Sequence, residues 1–291
     1  MTPCRSEFIA VRRLQLHVRH WGRQGAPVIV MLHGWMDVSA SFQFVVDALA
    51  GAWHVIAPDW RGFGLSCATP GDTYWFPDYV ADLDALLQHY APERAVNLLG
   101  HSMGANVACI YAGARPERVG KLINLEGIGL RASSPQQTPG RYAAWLDALR
   151  QPELLRSYPS RQAVAARLQK TNPRLSDAHA AFLSGHWAAP DASGQWRILG
   201  DAAHKNASPL LYHAEEILAC WSAITAPVLW VEGAESSMWQ WLGAKDEARA
   251  EIERRLGFFA DLTRATLPEA GHMLHHDQPL LLAQMIEHFL A

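Results

Sequence analysis

Short apolar runs that alternate with amphipathic segments dominate residues 26–128 and 223–291. The runs are rich in β-branched residues, which is typical of strands buried on both faces of a parallel sheet. The segments between them carry apolar residues at three- and four-residue spacing and therefore predict helices. The predicted strands are 28–32, 53–59, 95–99, 118–125, 226–231 and 262–267, and the predicted helices are 39–49, 77–90, 106–112, 246–256 and 279–290.

Two further strand-like segments, 7–12 and 14–21, open the chain, and the link at Arg12-Arg13 is short enough for a hairpin. They predict an antiparallel edge. Because strands and helices otherwise alternate, the sequence predicts an α/β fold with a mostly parallel sheet and helices on both faces.

The alternation stops after residue 128 and resumes near residue 223. The intervening stretch contains helix-like pieces that are broken by prolines. It is too long for a loop and too irregular for another sheet unit, so we predict a mostly helical insertion. The predicted domains are a core of residues 1–128 and 223–291 and a helical cap of residues 129–222.

The sharpest chemical signal is a Gly-x-Ser-x-Gly motif at residues 100–104, between a predicted strand and a predicted helix. A serine at so tight a corner has a strained backbone, and the flanking glycines remove β-carbons that would collide with the neighbouring elements. The helix that follows points free N–H groups and its positive dipole end at charge that forms beside the serine. The pattern therefore predicts that Ser102 is a nucleophile.

Five polar residues fall within a few residues after the ends of predicted strands: His33, Ser102, Glu126, Glu235 and His272. In a parallel sheet with helices on both faces, ligands bind outside the carboxyl ends of the strands. We therefore expect these side chains to lie along one edge of the sheet and to form the active site.

Composition and charge argue against a nucleic-acid-binding or membrane-spanning protein. The chain has 291 residues, of which 49% are hydrophobic and 18% charged, and its formal net charge is -3. The absence of a basic run argues against nucleic-acid binding. No stretch is long and apolar enough for a membrane helix, and the N-terminus lacks a signal-peptide pattern, so we expect a cytoplasmic protein. The four cysteines are scattered, which favours free thiols over disulfides or a zinc site.

Four motifs resemble those of the α/β-hydrolase family over nearly the whole chain: His33-Gly34, the loop 58–66, the serine motif 100–104 and Ala270-Gly271-His272. The resemblance implies an eight-stranded, mostly parallel sheet with an inserted helical cap. Within the family the chain is most similar to serine hydrolases with a cap after the sixth strand, and it shares features with haloalkane dehalogenases.

The resemblance and the chemistry suggest the same roles. Ser102 would attack the substrate, and His272 would accept its proton, because a serine hydroxyl is a poor nucleophile without a base. The backbone N–H groups of Met103 and Trp35 would form the oxyanion hole.

The acid of the triad has two candidates. The family most often places its acid after the seventh strand, but Ser236 stands at that position and Glu235 is one residue early. Glu126 resembles the glutamate that some dehalogenases carry after the sixth strand. We favour Glu126, because a carboxylate at a buried strand end needs a partner such as imidazole. Alternatively, Glu235 is the acid and Glu126 caps backbone of the cap domain.

The predicted reaction is hydrolysis of a small, hydrophobic carboxylic ester. Dehalogenase or epoxide hydrolase chemistry would require an aspartate at position 102, and halide binding an aromatic donor at position 103, where the chain has Ser102 and Met103. Perhydrolase, lactonase or carbon-carbon bond hydrolase activity would use the same triad. A small-molecule receptor with slow turnover is a further alternative, since fold alone does not determine function.

The predicted substrate-binding residues are Trp35, His101, Trp145 and Trp187, with Trp196, Trp239 and Trp241 as further candidates. Such tryptophans commonly fill the core or the cap interface instead, and a histidine within this motif more often packs than catalyses. A small molecule is the expected partner, and the oligomeric state stays open between monomer and homodimer.

No cofactor or metal is predicted. His272, His275 and His276 are close in sequence, but no His-Glu-x-x-His motif accompanies them. Of the remaining polar residues, we expect His33, Asp59 and Arg61 to hold their loops, and Asp37 either to face the pocket or to start a helix.

Overall fold

One eight-stranded sheet forms the centre of the molecule. The structure is a computed structural model that describes residues 1–69 and 71–291. The strands are β1 (Cys4–Val11), β2 (Leu14–Gly22), β3 (Val28–Leu32), β4 (His54–Pro58), β5 (Val96–His101), β6 (Val119–Leu125), β7 (Val228–Gly233) and β8 (Leu262–Leu267).

The strand order is β1-β2-β4-β3-β5-β6-β7-β8. β1 and β2 form the predicted hairpin, in which Val11 pairs with Leu14, and β2 is also antiparallel to β4. All other neighbouring strands are parallel. The mostly parallel sheet with an antiparallel edge is therefore confirmed, with strand ends that differ from the predicted ones by a few residues.

Helices cover both faces of the sheet. They are α1 (Gln43–Ala48), α2 (Phe76–Tyr90), α3 (Met103–Ala114), α4 (Thr138–Arg150), α5 (Arg161–Thr171), α6 (Asp177–Trp187), α7 (Ala214–Ser222), α8 (Lys245–Leu256), α9 (Leu274–Asp277) and α10 (Pro279–Leu290). The predicted helix at 39–49 is split, because Ser39–Phe42 is a 3-10 turn that precedes α1.

Two apolar clusters hold these layers together. Val30 and Leu32 of β3 pack into the cluster that contains α2, α3, α7 and α8, whereas Ile29 and Met31 pack into the cluster with α1 and α10. This division follows from the period of two along a strand, which sends successive side chains to opposite faces. It also explains why these strands are apolar at every position.

The segment between β6 and α7 lies within the predicted cap, and the name cap is kept for it below. It contains α4, α5 and α6, but also a three-stranded antiparallel sheet of Ser157–Tyr158, Ala188–Pro190 and Trp196–Ile198, which the sequence did not predict. The domain boundary at residue 222 stays a prediction. Helix α7 packs against α3 of the core and buries Leu218 and Trp221 in the core cluster.

Among residues 1–69 and 71–291, no helix has the length and apolar character that crossing a membrane requires.

Candidate active site

Ser102 stands at the corner between β5 and α3. Its φ of 51° and ψ of -113° lie in a region that residues with a β-carbon rarely adopt. The backbone holds it there, since the Ser102 N–H donates to the Leu125 carbonyl at 2.8 Å and the Ser102 carbonyl accepts from the Asn106 N–H at 3.0 Å. The strained corner directs the side chain out of the sheet.

The two glycines of the motif are required by close packing. A β-carbon on Gly100 would collide with the backbone of Ala105, and one on Gly104 would collide with the carbonyl of Leu32 in the neighbouring strand. Because α3 lies this close to the sheet, the corner at Ser102 requires glycine at both positions.

His272 donates from Nδ1 to Oε2 of Glu126 over 2.5 Å. Glu126 is 1% exposed, and two further donors satisfy its carboxylate: the Gly233 N–H on Oε1 at 2.7 Å and the Ser236 hydroxyl on Oε2 at 2.8 Å. Charge-assisted hydrogen bonds of this kind compensate the cost of burying a carboxylate. The arrangement fixes the proton on Nδ1 and leaves the lone pair on Nε2 free.

Glu235, the alternative acid, lies elsewhere. Its side chain is exposed and forms an ion pair with Arg174 of the cap. The structure thus brings Glu126, and not Glu235, to His272. The part played by Ser236 was missed, although its position at the family's usual acid site was a signal: its hydroxyl supports the carboxylate that comes from β6 instead.

The loop after β3 is held by His33, as expected. Its Nε2 accepts from the Trp60 N–H at 2.9 Å, so Nδ1 carries the proton and donates to the Gly34 carbonyl at 2.8 Å. Burial lowers the pKa of His33, which keeps the ring neutral and suits this pattern. Trp35 follows in this loop. Met103 is the first residue of α3, so its N–H has no acceptor within the helix.

A cavity of about 580 Å³ opens above Ser102 and His272. Trp35, His101 and Trp187 of the predicted binding residues line it, together with Asp37. Much of the remaining wall is apolar and comes mainly from the cap: Leu155, Leu168, Leu175, Leu183, Ile198 and Trp241.

Within the described ranges, Ser102 makes no side-chain hydrogen bond to His272, although both line the cavity. Hydrogen bonds between catalytic groups are often long in the unliganded state and tighten when substrate binds.

A family model described as the alpha/beta hydrolase fold matches residues 27–279. The chain belongs to the α/β-hydrolase fold family. Curated relatives support this assignment. A serine hydrolase-like protein of Danio rerio is 36% identical over 116 residues, which are 40% of this chain and 35% of that protein. A serine hydrolase-like protein of Dictyostelium discoideum is 26% identical over 292 residues, 95% of this chain and 79% of that protein.

Solved structures of the same fold align over nearly the whole chain. The thioesterase domain from the curacin biosynthetic pathway superposes with a TM-score of 0.87 and 25% identity, covering 98% of this chain and 99% of that domain. A hypothetical protein from Pseudomonas aeruginosa PAO1, 24% identical with a TM-score of 0.86, covers 98% of this chain and 99% of its own.

Three of the candidate binding residues, Trp145, Trp196 and Trp239, are not among the described residues that line the cavity. The indole N–H of Trp145 donates instead to Thr73 Oγ1 at 3.2 Å. Trp187 lines the cavity and also forms a hydrogen bond. Its indole N–H donates to the Met36 carbonyl of the loop after β3 at 2.9 Å.

Asp59 and Arg61 hold the loop after β4, as expected. Asp59 accepts from the Ser39 N–H at 2.7 Å, from His17 Nδ1 at 2.7 Å and from the Leu65 N–H at 3.0 Å. Arg61 binds the buried Asp82 through two hydrogen bonds of 2.5 and 2.7 Å. Both side chains are buried in these contacts and stabilise the core beneath the cavity.

His101, the residue before Ser102, donates from Nε2 to the His272 carbonyl at 2.8 Å. Burial, together with the neighbouring rings of His275 and His272, lowers the pKa of His101 well below its usual value. His101 is therefore neutral and braces the backbone of the residue that contacts Glu126.

Proposed function

We propose that the protein is a serine hydrolase that cleaves a small, hydrophobic carboxylic ester through an acyl-enzyme on Ser102. The observation that carries this proposal is the hydrogen bond between His272 and the buried Glu126, with the same imidazole lining a cavity with Ser102. A nucleophile, a base and a group that orients the base are the three parts of a serine triad.

In the first half of the reaction, Ser102 Oγ attacks the ester carbonyl carbon while His272 Nε2 accepts the hydroxyl proton. The tetrahedral intermediate carries its negative charge on the former carbonyl oxygen. When the intermediate collapses, the bond to the alcohol oxygen breaks and the imidazolium returns its proton to that oxygen. Glu126 stabilises the imidazolium throughout, since its carboxylate accepts from Nδ1.

In the second half, His272 removes a proton from water, which attacks the acyl carbon. The bond to Ser102 Oγ then breaks, the serine recovers its proton and the carboxylic acid leaves. In both halves the N–H groups of Trp35 and Met103 donate to the oxyanion. Loss of one such donor typically costs about 10² to 10³ in turnover.

The apolar wall of the cavity supports a hydrophobic acyl group. An acyl thioester is a second candidate substrate, because the similar solved structure with 25% identity is a thioesterase domain. The same triad would cleave it, with a thiolate in place of the alkoxide as the leaving group.

The test measures turnover of p-nitrophenyl esters from acetate to octanoate, and of acyl thioesters of matching length, by wild type, Ser102→Ala, His272→Ala and the control Ser237→Ala. Ser237 is exposed. We expect ester turnover that rises with acyl length, falls by about 10³ or more in the first two variants and is unchanged in the control. Saturable binding of the esters without turnover would contradict the proposal and support a receptor. Faster cleavage of the thioesters than of the esters would identify acyl thioesters as the substrate class.

A further inference from the structure

A buried polar group lies at the wall of the cavity, and the proposed reaction uses none of its side chains to form or break a bond. Asp37 comes from the loop after β3, His101 from the end of β5 and His275 from α9. Each offers one ligand atom, and these atoms lie within 4.8 Å of one another. The residues are 6%, 2% and 0% exposed, so the group is shielded from bulk water.

Each of these side chains has a buried atom without a hydrogen-bond partner in the described part of the chain: Asp37 Oδ2, His101 Nδ1 and His275 Nδ1. Asp37 Oδ2 faces His275 Nε2 at 3.6 Å, beyond the range of a hydrogen bond. Leaving several buried polar atoms unpaired is costly, and polar clusters of this kind are normally completed by water or by an ion.

His101 is in the state that a metal ligand requires. Because its Nε2–H donates to the His272 carbonyl, Nδ1 carries a free lone pair. Metal-binding histidines usually have this arrangement, with the second ring nitrogen donating to a carbonyl or carboxylate.

We propose that Asp37, His101 and His275 bind a divalent first-row transition metal ion such as Zn²⁺ or Co²⁺. Two imidazole nitrogens and one carboxylate oxygen form a ligand set that suits these ions better than Mg²⁺ or Ca²⁺, which prefer oxygen ligands. The ion enters from the cavity, since Asp37 and His101 line it.

The experiment titrates Co²⁺ into a Cys4→Ser/Cys67→Ser background and records the visible absorption of the bound ion. Both cysteines are exposed, and removing them prevents thiol coordination. The ligand variants are Asp37→Asn and His275→Gln. The control is His54→Gln. His54 is a buried histidine at the start of β4, so it lies at the opposite end of the strands from the proposed site. The Tm of each variant is measured without metal and with Zn²⁺, which verifies folding and reports binding without a chromophore.

We expect one equivalent of Co²⁺ to produce a saturable band that Zn²⁺ displaces, and affinity to fall on the order of 10-fold or more in both ligand variants but not in the control. Zn²⁺ should raise the Tm of the background protein more than that of folded ligand variants. Absence of a saturable band and of a Tm shift, or equal binding by the ligand variants, would overturn the site.

Discussion

Glu126 links three parts of the candidate active site through its carboxylate. It follows β6 directly with a φ of 56°, and both carboxylate oxygens accept hydrogen bonds. The Oε2 atom accepts from both His272 and Ser236. The hydrogen bond with His272 orients the imidazole with its proton on Nδ1. Glu235 makes an exposed ion pair with Arg174, a contact of a type that contributes about 1 kcal/mol or less.

The two glutamates make a matched pair for mutagenesis. Glu126→Gln presents an amide that can donate toward Nδ1 and favours the wrong tautomer of His272, so we expect kcat for an ester substrate to fall by about 10² to 10⁴. Glu235→Gln should keep kcat within about two-fold, because its side chain is exposed. Steady-state kinetics of both variants measures this ranking, and the opposite ranking would make Glu235 the acid.

At the residue level, the sequence predicted those features of the site that are encoded within one short segment. The glycines around Ser102 and the position of Glu126 after a strand are readable because one segment contains the whole signal. The hydroxyl of Ser236 on Glu126, and the group of Asp37, His101 and His275, depend on segments far apart in the chain. No local pattern reports such contacts.

At the scale of elements, loops attached to the carboxyl ends of strands position the site. The loop after β4 is organised by Asp59, which accepts hydrogen bonds from His17, Ser39 and Leu65 while almost fully buried. Although burial by itself raises the pKa of Asp59, the hydrogen bond and charge of His17 and the other donors outweigh it and hold this pKa well below the usual value.

This pKa predicts a pH-dependent contribution to stability. A carboxyl whose pKa is lower in the folded state stabilises above its unfolded pKa of about 4, and this contribution is lost as pH falls through the folded value. Asp59→Asn should therefore reduce the free energy of unfolding at pH 7 by about 3 kcal/mol, and the difference from wild type should shrink below about pH 4.

Urea denaturation at pH 7 and pH 3.5 measures this difference. Asp147→Asn is the control, because its side chain is 78% exposed. A loss at pH 7 no larger than that of the control would contradict the stabilising role of Asp59.

Elements with a clear apolar pattern were predicted well and the very short strands were not. The sequence located β3 and α10 with the bounds that the structure has, because β3 is apolar at every position and α10 has apolar residues at helical spacing. The three cap strands have two or three residues each, too few for a period of two to be visible. Helix α7 lies inside the predicted cap range, and its apolar face packs on the core cluster.

At the scale of the whole molecule, the cap and the core meet at the cavity. Trp187 at the end of α6 links them, because its indole donates to the Met36 carbonyl next to Trp35. The tryptophan thus joins the apolar wall of the cavity to the loop that we propose as part of the oxyanion hole.

Trp187→Phe keeps an aromatic ring but removes this hydrogen bond. A hydrogen bond of this kind is worth about 1 kcal/mol, which corresponds to about a five-fold loss in kcat/KM for a hydrophobic ester. Trp145→Phe is the matched control, since it removes an indole hydrogen bond to Thr73 outside the cavity, and its kcat/KM should be unchanged. Equal losses in the two variants would mean that the Met36 contact has no specific role.

The most direct test of the account is covalent labelling with a fluorophosphonate, followed by intact-protein mass spectrometry and peptide mapping. The account predicts a single adduct on Ser102, absent in Ser102→Ala and formed much more slowly in Glu126→Gln than in Glu235→Gln. A folded wild type that forms no adduct, or an adduct that persists in Ser102→Ala, would contradict the assignment of Ser102, His272 and Glu126 as a working triad.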